Sequence, residues 1–296
     1  MTELLQLIVN GLVTGSIYAL GAASISLVYG ALRIVNFAQG DYVTFGAYAA
    51  LLVNLHWRGG MVSATLFAVG ATAALAVALE FVLWRPMRRR GAKTMGLFIT
   101  SIGLAFIMRA SILFIGGNGE RSFRVDVFQS YVVGGIRVSE PQLIAICVSL
   151  AAILAVALVL SKTSFGRAVR AISDSPDLAS VAGVDVDRTV VAVWILAGML
   201  AGLCGVLAGL VQSSFDPNLG FTLLLPLFAA VVVGGVGSPY GALIGGLSLG
   251  IVQEVCTWSG FFGGVNPVWK PAIAFSVLIA VLLVRPQGLL GRARTL

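Results

Sequence analysis

The chain has 296 residues, of which 58% are hydrophobic and only 10% charged. Soluble domains carry about 25% charged residues, so an ordinary water-facing surface is excluded and a polytopic membrane protein is indicated. The formal charge of +7 does not form a nucleic-acid stripe, because the basic residues sit in short loops between apolar runs.

Met1–Asn10 carries Glu3 and no Lys or Arg, unlike the basic start of a signal peptide, so the first span is expected to stay in the mature chain. That span, Leu4–Gly30, holds a G-x-x-x-G pair at Gly11 and Gly15, which lets a neighbouring helix approach closely. A polar break follows at Ala31–Asp41, carrying Arg33, Asn36, Gln39, Gly40 and Asp41, and then a short apolar run from Tyr42 to Leu55. His56, Trp57 and Arg58 mark an interface, where the single histidine has a structural role. Met61–Trp84 spans and ends in a basic cluster from Arg85 to Lys93. Thr94–Ile115 spans again, with Arg109 near its far end, and Gly116–Glu140 is a polar loop.

Pro141–Leu160 returns the chain to the longest polar segment on the basic side, Lys162–Arg188, which contains Arg167 and Arg170. Within it a short helix is punctuated by Ser175 as N-cap, Pro176 at the first helical position and Asp177 at the positive end of the dipole. Gly183 supplies the left-handed residue that closes it. Leu178, Val181 and Ala182 fall on one face, so the segment is either a docking surface or a well-capped loop. Thr189–Val211 spans, with G-x-x-x-G pairs at Gly198/Gly202 and Gly205/Gly209. Two short runs, Thr222–Val236 and Tyr240–Cys256, flank the glycine-rich stretch Gly234–Gly246, which includes Gly235 and Gly237. A loop with Trp258, Phe261, Phe262 and Trp269 suits an interface belt, and Pro271–Val284 is the last span.

The fold class is therefore all-α, a single membrane domain over residues 1–296 with about eight or nine transmembrane helices. Two broken or short helix pairs, around Arg33–Asp41 and Gly234–Gly246, interrupt the pattern once in each half. Non-helical backbone at membrane depth is tolerated only where it is buried or lines a cavity, so Asn36, Gln39, Gly40, Asp41, Gly235 and Gly237 are candidates for a translocation pathway. The alternative is a pair of turns between tightly packed helices. With the N-terminus outside, 13 Lys and Arg, including Arg292 and Arg294, fall on one face and 5 on the other. The first face is assigned to the cytoplasm, with the C-terminus.

No catalytic arrangement is legible. Cys147, Cys204 and Cys256 lack metal-like spacing, and no paired Asp motif for a metal-bound diphosphate occurs. Glu80 is read as an interfacial acid reaching for solvent or Arg85, and Glu254 lies near the outer end of its run. Asp41 is the fair candidate for an ionisable group at membrane depth.

The stretches NGLVTGSIYALGAASISLVYG (Asn10–Gly30), RIVNFAQGDYVTFGAYAA (Arg33–Ala50), FGRAVRAISDSPDLASVAGVDVDR (Phe165–Arg188) and GGVGSPYGALIGG (Gly234–Gly246) resemble the permeases of branched-chain amino acid (LIV-type) ABC importers, and among them the shorter of the two paired permeases. The resemblance implies that the 162–188 loop holds a coupling helix docking on a cytoplasmic ATPase. The loop carries only a loose form of the wider importer signature, at Ala179, Ala182 and Gly183. It further implies a second related permease chain, two ATPase subunits that bind the ATP, a periplasmic solute-binding protein and a small-molecule substrate. The chain would then sit in the bacterial inner membrane as half of a pore, with no cofactor, no metal, no nucleic-acid partner and no enzymatic activity of its own. Urea, short amides or aromatic acids are alternative substrates, and a self-contained secondary carrier or channel is the alternative of another class.

Overall fold

The computed structural model describes residues 2–56, 60–124, 130–133, 135–235, 237–258, 266–285 and 288–289. Trp57, Arg58, Phe261, Phe262, Arg292 and Arg294 lie outside the described residues. In chain order the helices are α1 (Thr2–Leu32), α2 (Gln39–His56), α3 (Met61–Leu79), α4 (Arg85–Arg89), α5 (Thr94–Gly116), α6 (Glu140–Lys162), α7 (Ser164–Asp174), α8 (Pro176–Val181), α9 (Val186–Gln212), α10 (Leu219–Gly234), α11 (Pro239–Val255) and α12 (Lys270–Val284). A π-helical turn, Glu80–Trp84, joins α3 to α4.

Small residues decide which helices occupy the centre. A Cβ on Gly11 would stand 2.6 Å from the Cα of Ile251, and one on Gly15 2.8 Å from the Cα of Leu247, so the first G-x-x-x-G pair is the α1–α11 crossing. Gly198 and Gly202 do the same for α3, where a Cβ would meet Ala73 and Thr72 at 2.8 Å. Close backbone approach at such positions is how helices associate where no hydrophobic drive separates them from lipid. α1 and α9 consequently lie inside the bundle, while α3, α5, α6 and α12 turn broad apolar faces outward.

The loops gather at two ends. At the α1 N-terminal end, Gln6 Nε2 donates to the Arg137 carbonyl at 2.8 Å, Asn54 Nδ2 donates to the Arg124 carbonyl at 3.1 Å, and Lys270 Nζ pairs with Glu254 at 2.5 Å. At the other end Arg33 donates to the Ser173 carbonyl at 2.6 Å, and Arg85 and Arg89 both pair with Asp187. The basic segments Arg85–Lys93 and Lys162–Arg188 thus share one end, as the charge pattern predicts.

Several expectations are corrected. Among the described residues, six helical segments are long and apolar enough to cross a membrane, α12 only together with the turn before it (Pro267–Val284); α10 and α11 are shorter, at 16 and 17 residues, and α2, with 18, carries too many polar residues to be one of the six. With α2, α10 and α11 counted beside the six, the crossings number nine, in rough agreement with the expected eight or nine. The first break does not separate two short runs, because α1 has 31 residues. The polar loop contains an antiparallel hairpin, β1 (Ser130–Val133) with β2 (Ile136–Ser139). Glu80 does not reach solvent or Arg85: it is buried and held by Arg88, one bond being 2.9 Å, because the widened turn after it brings Arg88 back over its carboxylate.

Candidate functional site

The segment 162–188 is a pair of helices rather than one helix in a loop. The expectation missed α7, whose apolar positions Phe165, Val169 and Ile172 follow helical spacing but are interleaved with Arg167 and Arg170. Val169 packs with Ala31 of α1 and Val193 of α9, and Arg170 donates to the Leu160 carbonyl at 2.8 Å. Those contacts fasten α7 to the bundle end and leave α8 beyond it.

The punctuation of α8 is as read. Ser175 Oγ accepts from the Leu178 amide at 3.4 Å, Pro176 occupies the first turn and Asp177 follows it. At the other end the Val184 amide donates to the Ala179 carbonyl at 2.9 Å and the Gly183 amide to the Ser180 carbonyl at 3.1 Å. That is the paired bonding of a Schellman close, and it requires the positive φ of 84° at Gly183. Ala179 is buried against the bundle. Leu178 and Val181 are 71% and 86% exposed, and Ala182 is exposed beside them. A groove of about 510 Å³ between α7 and the start of α9, lined by Phe165, Arg167, Ala171 and Asp185 among others, runs alongside.

The first break, residues 33–38, is non-helical backbone that starts with a positive φ at Arg33 and closes in a turn, the Gln39 amide donating to the Asn36 carbonyl at 3.3 Å, before α2 starts. Asn36 Oδ1 accepts from the Ala38 amide at 3.1 Å and its Nδ2 donates to Gln39 Oε1 at 3.1 Å. Gln39 Nε2 donates to Ser24, whose hydroxyl donates to the Ala197 carbonyl at 2.8 Å. Ser101 of α5 bridges the break, accepting from the Phe37 amide at 3.1 Å. Asn36, Gln39 and Asp41 are all buried, and these bonds satisfy backbone groups that lipid could not. Gly40 lies against Gly220 of α10, where either would collide with the other's carbonyl if it bore a side chain.

Asp41 is not a lone acid. Arg109 of α5 donates from Nε to its Oδ1 at 3.3 Å, and the guanidinium lies over the Phe221 ring at 4.0 Å. Sequence reasoning named Arg109 only as a charge inside a span. A lone cation in an apolar run is itself the signal that could have marked it. Ser24 and Ser101 carry no such signal. Gly235 and Gly237 stand apart from this layer. They take φ of 102° and 85° in the turn between α10 and α11, where Gly237 faces Gly30 at the basic end of the bundle. Among the described residues no three His, Cys, Asp or Glu converge as metal ligands would.

Residues 7–282 match the family described as the branched-chain amino acid transport system / permease component. The chain is 30% identical over 301 residues to the high-affinity branched-chain amino acid transport system permease protein BraD of Pseudomonas aeruginosa, covering 97% of this chain and 96% of that one. It is 31% identical over 298 residues to the probable branched-chain amino acid transport permease protein LivH of Methanocaldococcus jannaschii, covering 97% and 92%. The galactose/methyl galactoside import permease protein MglC of Haemophilus influenzae is 36% identical over 175 residues, 57% of this chain and 51% of that one.

Proposed function

The chain belongs to the permease family of branched-chain amino acid transport systems, and from that premise we propose that it forms half of the pathway of an ATP-driven importer for Leu, Ile and Val. It is a multi-pass membrane permease and not an enzyme. Hydrolysis belongs to two ATPase subunits at the basic end, and a related permease chain supplies the other half of the pore. A periplasmic binding protein delivers substrate at the end that carries β1 and β2. The 13-to-5 division of Lys and Arg supports placing the basic end in the cytoplasm of a bacterial inner membrane, with the N-terminus periplasmic.

In this reading α8 is the lever. Its caps make it rigid, Ala179 and α7 tie it to α1 and α9, and Leu178, Val181 and Ala182 offer an apolar face to a groove on the ATPase. Arg167 and Arg170 lie on the adjoining helix, where Arg170 braces α6 against α7. Asn36, Gln39, Gly40 and Asp41 border the pathway, and Gly235 and Gly237 shape the turn at its cytoplasmic mouth. The observation that carries the proposal is the family match across nearly the whole chain.

Its test is reconstitution of the complex, purified with its partner subunits, into vesicles containing ATP. Binding protein loaded with radiolabelled leucine should drive ATP-dependent accumulation, with isoleucine and valine competing and urea, short amides and aromatic acids not. Accumulation without ATP would favour a secondary carrier and refute the proposal.

A further inference from the structure

Arg109 presents a problem that the importer reading leaves open. It stands 15 residues after Thr94 in α5, about 22 Å along the helix at 1.5 Å per residue, and its side chain is 18% exposed. A guanidinium facing hydrocarbon at that depth is expensive, and such residues turn to a protein interior or an aqueous cavity. Arg109 does not reach outward toward an interface. It turns to Asp41 and lies against Phe221, and a second exposed ring, Phe106, stands 6.0 Å away. Among the described residues only one carboxylate oxygen of Asp41 is engaged, and Oδ2 is buried with no partner among them. Because the contact is made through Nε at 3.3 Å, it is not the two-pronged geometry that would saturate both groups. The site therefore combines a partly accessible cation, an under-satisfied buried anion and two aromatic walls.

We infer that Phe106, Arg109 and Phe221 face the translocation pathway, where Arg109 receives the α-carboxylate of the passing amino acid. Asp41 is the positioning residue, holding the guanidinium toward the pathway, and the aromatic rings accept the branched apolar side chain. A zwitterion with an aliphatic tail fits this set, whereas a lipid acyl chain would leave the cation unmatched. The inference rests on the amino-acid importer reading and adds to it a binding point inside the membrane.

The experiment uses the complete complex. Phe221→Cys is placed in a chain whose three native cysteines are replaced by alanine, and a charged, water-soluble methanethiosulfonate is applied in the resting and the ATP/vanadate-trapped states. Modification in either state is expected, while Leu154→Cys on the outer face of α6 stays unmodified. Failure of Phe221→Cys to react in both states overturns the inference, because the face is then lipid-covered or sealed. Arg109→Gln paired with Asp41→Asn removes both charges together. Such a complex should assemble and keep hydrolysis stimulated by loaded binding protein, yet lose leucine uptake by about tenfold or more, the scale of one lost charged hydrogen bond. Normal uptake, or loss of assembly, shows a purely structural pair and overturns it. Absence of leucine uptake by the wild-type complex would instead refute the importer reading, and the labelling result would still report which face is wet.

Discussion

Replacing Leu178 and Val181 together by alanine isolates the docking role of α8 from its folding. Alanine keeps the helix propensity high, and both side chains point away from the bundle, so insertion and the α7–α8 fold are left intact. Burying a whole Leu or Val side chain contributes about 1.5–3 kcal/mol. With 71% and 86% of these residues still exposed, docking can bury most of each, or about 1–2 kcal/mol apiece. The pair is then worth about 2–4 kcal/mol, which at about 1.4 kcal/mol per decade is between thirtyfold and several hundredfold in dissociation constant. The assay titrates purified ATPase subunit onto the detergent-solubilised permease pair, and follows substrate-stimulated hydrolysis in vesicles. The double variant should bind with the weakened constant and uncouple, and Leu178→Asp should be more severe. Wild-type affinity and coupling in the double variant would show that α8 is only a connection.

Gly183→Val should misplace the end of α8, since a β-branched residue is poorly accommodated at a φ of 84°; the measure is coupling with the level of inserted permease unchanged. Gly220→Ala should lower thermal stability by about 1–3 kcal/mol, because the added methyl enters the Gly40 backbone, whereas Gly103→Ala, with open space around it, should not. Arg88→Gln strips the buried Glu80 carboxylate of its partner and should cost about 3–5 kcal/mol, against about 0–1 kcal/mol for Arg89→Gln, whose ion pair is exposed; equal effects on unfolding would contradict the burial of Glu80. Asn36→Leu leaves the Ala38 amide and Gln39 Oε1 without their partners and should reduce uptake in an assembled complex. Cysteine at Arg88 should resist an impermeant thiol reagent added to intact cells while cysteine at Gly119 reacts, and the reverse would invert the orientation.

The membrane class, the main spans, the gathering of basic segments at one end and the punctuation of α8 were all legible in the sequence. Each depends on consecutive residues: hydropathy over about 20 positions, or a cap and its helix within one or two turns. Ser175, Pro176 and Gly183 act on their own neighbours, so no knowledge of the packing was required. The companions of charged groups were a different matter. Asp41 and Arg109 lie 68 positions apart and meet only because α2 re-enters the bundle beside α5. Glu80 found Arg88 rather than Arg85 because a π-helical turn changed the register between them, and Arg85 was thereby freed for Asp187 of α9. α7 was hidden because arginines on its outer face interrupt the apolar run, although its three buried positions keep helical spacing. Tertiary structure decided these points because a buried charge takes whichever opposite group the helix packing brings within reach, and that packing is set by glycines on α1 and α9 whose partners are distant in sequence.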